Sequence, residues 1–415
     1  MKLLYPIHSV NAAAGGPIES LKQIAPMMAA MGHSTDVVSL DDPNAPWTRG
    51  LSFTVHAVGP GKGTYGYTPN LIPWLRQHAQ NYDAVIVRGL WQYHSFATWK
   101  VLRNSNTPYF VFPHGMLDPW FKRAFPLKHA KKWLYWPWGE YRVLRDAKAV
   151  LFTSEEERVA ARESFWLYRC NEIVVNYGTS EPVGDTTTQK EAFFKRHPEL
   201  RHKRLVLFLG RIHPKKGCDL LIEAFAAILG KHPEWHLVIA GPDQVGWQAK
   251  LAKLAHEWQI AHAITWPGII TGDVKFGAIK AAEVFVLPSH QENFGIAVAE
   301  ALACGTPVLM SRKVNIWREV EQDEAGIVAN DDFEGTCHLF RSWLALRSKD
   351  RHYMRGRAVE CFRNRFEIKK SAESIVAAIT PFVSSTSKLS TFPQISQPVV
   401  DTSTQNFEDQ RRAVI

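Results

Sequence analysis

Two successive series of strand-like and helix-like runs constrain the fold of this chain most. In the first series, apolar runs at Leu3–Ile7, Asp36–Leu40, Ala84–Val87, Tyr109–Pro113, Val150–Thr153 and Ile173–Val175 predict strands, with helical stretches between most of them. The first helix is expected to begin near Pro17, directly after Gly15-Gly16, and to end at Met31, where Gly32 suits a left-handed stop. In the second series, strands predicted at Leu205–Leu209, Leu237–Ala240, Ile264–Trp266, Val284–Pro288 and Val308–Met310 alternate with helices near Asp219–Leu229, Gln248–Gln259 and Asp273–Ala281. Strands separated by helices pair in parallel through crossovers. Two such series in 415 residues, too many for one ordinary core, imply an α/β chain of two doubly wound, Rossmann-like domains facing a central cleft. The expected division is a first domain over 1–180, a linker over 181–203, a second domain over 204–365 and a C-terminal helix over 366–383. Residues 384–415 are rich in Ser and Thr and poor in apolar residues, and are expected to be a disordered tail.

The five cysteines are scattered, odd in number and without Cys-x-x-Cys spacing, which argues against a disulfide framework or a zinc site and for a reducing compartment. No run approaches the roughly 18 apolar residues of a spanning helix, and the opening residues read as a buried first strand rather than a signal peptide. The expected location is the cytoplasm. The net charge of +9 is uneven: residues 119–148 hold eight Lys/Arg against Glu140 and Asp146, interleaved with Trp120, Phe121, Phe125, Trp133, Tyr135, Trp136 and Trp138. Basic residues among aromatics suit an anionic membrane surface, here the inner face of the cell membrane; an ordinary solvated face with a few buried aromatics is the other reading. No nucleic-acid motif accompanies the patch, so nucleic acid is not an expected partner.

Chemistry concentrates at two strand ends, which face the ligand crevice in such sheets. The segment Ser289–Gly305 places Glu292 in a turn after a strand and Glu300 about two turns into the helix that follows, which Gly305 and Pro307 would end. Carboxylates clamp vicinal hydroxyls, and helix-start amides favour phosphate. Glu300 therefore suits a ribose diol, and Glu292, beside the Asn293, Phe294 and Gly295 amides, suits a sugar. About eighty residues earlier, Gly210-Arg211-Ile212-His213-Pro214-Lys215-Lys216-Gly217 joins a strand to a helix, and Arg211 and Lys216 supply cations for a diphosphate. Such a site needs no metal, and the chain has no Asp-x-Asp motif.

With these motifs the chain resembles the family 4 retaining glycosyltransferases of the GT-B fold, from Gly15-Gly16 to the helix near Ile379 and most strongly over 205–330. Glu292 and Glu300 stand as that family's Glu-x7-Glu, Gly210-Arg211 and Lys216-Gly217 as its phosphate loop, and Gly305-Thr306-Pro307-Val308 as its strand entry. The resemblance implies a retaining transfer from a nucleoside diphosphate sugar, without metal or cofactor, to a saccharide or lipid-linked saccharide acceptor. Its catalytic residues would be His114, Glu292, Arg211 and Lys216. The donor would be held by Gly15, Gly16, Arg211, Lys216, Glu292, Asn293, Phe294, Gly295 and Glu300. Two positions depart from the family pattern: Asn176-Tyr177-Gly178 replaces Pro-Asn-Gly, and Asn293 stands where a small residue is usual. A nucleotide-sugar epimerase and a non-catalytic partner subunit of the same architecture are the alternatives. Gly61-Lys62-Gly63-Thr64-Tyr65-Gly66 imitates a dinucleotide fingerprint, but no apolar helical run follows it.

Overall fold

The computed structural model describes residues 1–12 and 15–383; the 384–415 segment, expected as a tail, lies outside the described residues. The first sheet comprises β1 Lys2–Ile7, β2 Ser34–Ser39, β3 Thr54–Ala57, β4 Ala84–Arg88, β5 Tyr109–Phe112, β6 Ala149–Phe152 and β7 Glu172–Val174, in the order β3-β2-β1-β4-β5-β6-β7. The second comprises β8 Arg204–Leu209, β9 Trp235–Ala240, β10 Ile264–Gly268, β11 Ala282–Leu287, β12 Val308–Ser311 and β13 Gly326–Ala329, in the order β10-β9-β8-β11-β12-β13. Every pairing in both sheets is parallel. Strands β4, β5, β6 and β9 are buried along their whole length and, but for Arg88 and His236, apolar, as strands of a sheet covered on both faces are.

Alternation along the strands of the first sheet divides its core in two. Leu4, Val85, Val87, Val111 and Val150 point to one face, beneath Trp99, Trp136 and Leu144. Leu3, Tyr5, Ile86, Phe110 and Leu151 point to the other. That second face is covered by the helix Gly16–Ala30 through Ile18, Leu21, Ile24 and Met28, and by the C-terminal helix Ile368–Ile379 through Ile368, Ala372, Ile375 and Ile379. The last helix of the chain thus returns to the first sheet. Where the two crossings meet, Thr179 N–H donates to the Phe366 carbonyl and Ile368 N–H to the Thr179 carbonyl. A Cβ on Gly178 would overlap the Phe366 carbonyl, so the approach requires glycine there.

The stretch read as a linker or connecting helix is helical in part. Thr186–Arg196 is a helix capped by Asp185, and Phe193 and Leu200 are fully buried in the core of the second half. Its two apolar anchors are too few to show as periodicity, and Gly277 lets the helix Gly272–Ala281 approach the Gln189 backbone.

Candidate active site

The order of the second sheet reverses between β8 and β11, the place where open parallel sheets bind ligands. The loops leaving these two strands are built against each other. His290 N–H and Ser289 Oγ both donate to the Lys215 carbonyl, at 2.8 and 3.0 Å. Gly217 has φ 67°, and a Cβ there would overlap the Pro288 carbonyl. The result brings two predicted residues together: the Lys216 ammonium touches the Glu292 carboxylate, with side chains 12% and 18% exposed. Burial, and then the nearby Lys215 and Arg211 charges, push the Lys216 ammonium down to about 7, with Cys218 opposing. Arg211 is exposed at the start of the loop. Lys215, which sequence reasoning passed over, is pushed down to about 8 by burial and Arg211, with Asp118 opposing; its Nζ lies 5.5 Å from the Trp120 ring of the first half.

Glu292 is held by its backbone, donating to the Lys313 carbonyl and accepting from Asn315 N–H. Gly295, at φ 77°, opens the helix Ile296–Ala303. Glu300 is buried on that helix and accepts from Lys275 Nζ at 2.7 Å, so the group expected at a ribose is paired with a cation that sequence reasoning did not select. Phe294 is buried edge-on to Tyr177, ring centroids 4.9 Å apart, and is thus part of the wall. Asn293 reaches across the cleft: its Nδ2 donates to Thr153 Oγ1 at 3.1 Å, and its side chain fills the space beside Gly115. Gln291 Nε2 to Asp118 Oδ2, 2.8 Å, and Arg318 to Glu156, 2.9 Å, join the same two halves.

On the first sheet, His114 follows β5 in a left-handed turn, φ 50°, stacked on Phe112 and edge-on to Tyr177. The turn is held by Glu157, fully buried, which accepts from Gly115 N–H at 2.5 Å and from Thr153 N–H and Oγ1–H at 2.7 Å each. Ser154 caps the helix Glu155–Ala161, as its position implies. Gly15, at φ 88°, caps the helix that Gly16 and Pro17 begin, and among the described residues none lies within 4 Å of where a Cβ would stand on either glycine. Tyr177, Glu157 and Lys275 are residues whose part in the site sequence reasoning missed. Tyr177 alone carried a signal, as a departure at the crossing point.

Between the halves lies a cavity of about 510 Å³ lined by Asp118, Trp120, Glu156, Gln291, Lys313 and Asn315. Larger depressions, each about 570 Å³, sit around Arg204 and Lys2, at the opposite ends of the strands, away from the motif loops. The basic aromatic stretch divides. Trp136 is fully buried against Phe165, whereas Phe125, Leu127, Trp133, Leu134 and Trp138 are exposed among Lys122, Arg123, Lys128 and Lys131. No helix among the described residues is long and apolar enough to cross a membrane.

The fold is shared with solved structures. Sucrose-phosphate synthase from Thermosynechococcus elongatus superposes with a TM-score of 0.73 at 20% identity, over 92% of this chain and 98% of that one. The HepE protein of Anabaena, in complex with UDP and glucose, does so at 0.70 and 16%, over 92% and 100%. The fold is GT-B, the two-domain fold of glycosyltransferases. Residues 15–178 match the family described as Glycosyl transferase 4-like domain, and residues 189–360 match Glycosyl transferases group 1. The chain belongs to this family 4 type of glycosyltransferases. The D-inositol 3-phosphate glycosyltransferase of Acidothermus cellulolyticus is 33% identical over 133 residues, 30% of each chain. The chain thus spans about a third of the length of the first curated relatives it matches.

Proposed function

We propose that the chain moves a sugar, with retention and without a metal ion, from a nucleoside diphosphate sugar to a hydroxyl of a saccharide or lipid-linked saccharide, in surface polysaccharide or glycolipid assembly. The observation that carries this reading is the contact of Lys216 with Glu292 where the sheet order reverses: a phosphate cation and a sugar acid share one small volume. The acceptor oxygen bonds to the anomeric carbon as the bond to the diphosphate oxygen breaks on the same face, and the acceptor proton passes to the departing diphosphate. Arg211 and Lys216 stabilise the charge that develops on the leaving group. Glu292 orients the sugar hydroxyls, His114 approaches the sugar from the first sheet, and Glu300, shared with Lys275, takes the ribose diol. Gly15 and Gly16 leave room for the donor or acceptor to approach the backbone.

The test is product analysis. UDP-glucose is the first donor to try, because the HepE structure holds UDP and glucose; saturation-transfer NMR then ranks other nucleotide sugars. With a competent donor and acceptor, proton NMR is expected to show the donor's anomeric configuration in the product, at the same rate with and without EDTA. An inverted product would overturn retention, and a requirement for added metal would overturn metal independence.

The exposed face of the helix Pro126–Tyr135 supports the membrane part of the reading. Leu127, Lys131 and Leu134 lie at i, i+4 and i+7, and with Trp138 they offer apolar groups beside cations. The protein is expected to sediment with phosphatidylglycerol vesicles but not phosphatidylcholine vesicles, and to be released near 1 M salt, where screening shortens to about 3 Å. Sedimentation with neither, or equally with both, would return this surface to an ordinary solvated face.

A further inference from the structure

Arg88 ends β4 beside the His114 turn and is only 2% exposed. Its guanidinium lies against the Tyr5 and Phe112 rings, 5.5 and 4.9 Å from their centroids. Among the described residues, its Nε and Nη2 meet no hydrogen-bond partner. Its Nη1 lies 3.4 Å from His114 Nε2. A buried arginine is ordinarily compensated by a carboxylate, so its presence here calls for another account. A guanidinium only donates. The His114 nitrogen facing it must therefore accept, and the proton of the neutral ring sits on the other nitrogen.

We propose that Arg88 is a positioning residue: it donates to His114 Nε2, keeps the imidazole neutral in the Nδ1–H tautomer, and makes His114 a one-sided hydrogen-bond donor toward the transferred sugar. A doubly protonated ring would turn an N–H toward the guanidinium, two like charges in a buried place. Burial and Arg88 accordingly hold His114 well below the ordinary histidine range. The other ionisable groups around it are Tyr177, beyond β7, and Glu157, through Gly115; Tyr5 reaches it only by way of Arg88. A neutral ring also suits the chemistry, since positive charge grows at the anomeric carbon during transfer. The role toward the sugar rests on the glycosyl-transfer reading; the tautomer does not.

Long-range proton–nitrogen correlation on the full chain with ¹⁵N-histidine tests it, with the His114 signals assigned by their loss in His114→Gln. The expected wild-type pattern is a protonated Nδ1 and an unprotonated Nε2 that stay unchanged from pH 5 to 8. Arg88→Met is expected to release the ring to titrate or to change tautomer, and Arg88→Lys, still a donor, to keep the wild-type pattern. In the transfer assay the expected loss is about 10- to 100-fold, the range known for removing the partner that orients a metal-bound histidine. Arg88→Met is expected to show that loss in kcat, with a new acid limb below pH 7 and little change in donor KM; Arg88→Lys should recover part of it. An Nε2–H or titrating His114 in the wild type would overturn the proposal without any variant, as would an unchanged spectrum and pH profile in a folded Arg88→Met. The expected tautomer in a protein that transfers no sugar would instead remove the functional reading and leave the tautomer standing.

Discussion

Lys216→Ala is expected to lower kcat/KM for sugar transfer by about 10²- to 10³-fold, the usual cost of removing one group aimed at developing charge. The geometry gives two reasons for so large a loss. Lys216 is largely enclosed, so its charge is poorly screened by water and acts strongly on a diphosphate oxygen. It also neutralises Glu292, which stands beside the path of the incoming diphosphate. Removing the lysine therefore deletes an attraction and exposes a repulsion. The two contributions separate in a double-mutant cycle. Glu292→Gln alone loses the sugar contact but keeps the cation. Glu292→Gln in the Lys216→Ala background is expected to cost less than the sum of the single losses, because the exposed carboxylate is gone. Steady-state kinetics and donor titration on variants with wild-type circular dichroism would measure this. Wild-type-like turnover in Lys216→Ala would remove the residue from the leaving-group role.

The Lys216–Glu292 encounter was legible because both halves of it are local motifs at predicted strand ends. The interior strands were equally legible: β4, β5 and β9 carry the apolar runs Ala84–Val87, Tyr109–Phe112 and Leu237–Ala240. Edges were not. Strand β3 is half-exposed throughout and β13 begins with Gly326, so neither shows the pattern of a buried strand. The Ile368–Ile379 helix advertises an apolar stripe, but a stripe states that a face is buried and not which sheet buries it. The same limit hid Tyr177, Glu157 and Arg88. Each acts through a partner 60 or fewer residues away or across the cleft, at positions that only the crossovers decide. Asn293, read as a side chain near the sugar, contacts Thr153 of the opposite half. The patch over 119–148 shows why composition alone misleads: Trp136 and Trp138 are two residues apart, yet one is core and the other surface.

Glu140→Gln is expected to stabilise the protein at pH 8 by on the order of 3 kcal/mol, from the cost of ionising a fully buried acid whose proton affinity is pushed up to about 7. Burial is the largest cause, opposed by donors from Ser95 Oγ and Trp91 N–H and by the Lys132 charge. Both hydrogen bonds end on Oε1, at 2.9 and 2.7 Å, and Oε2 has no partner among the described residues. The direction follows from the protons bound. Between the unfolded value near 4.5 and the folded value near 7, the folded state holds the proton more tightly. Stability from this group is therefore greatest below that window and is lost as pH rises through it. Glutamine keeps the Oε1 acceptor for both donors and has no charge to bury. Buried histidines shape the pH profile of both proteins: His94, pushed down to about 3, and His236, to about 4, add stability as pH rises toward 6.5. They titrate alike in both proteins, so the difference between the two melting curves isolates Glu140. The variant should melt several degrees higher at pH 8, with the gap closing toward pH 5. A gap of the same size at both pH values would assign the effect to packing, and no gap at pH 8 would mean that Glu140 ionises without cost beneath Trp91.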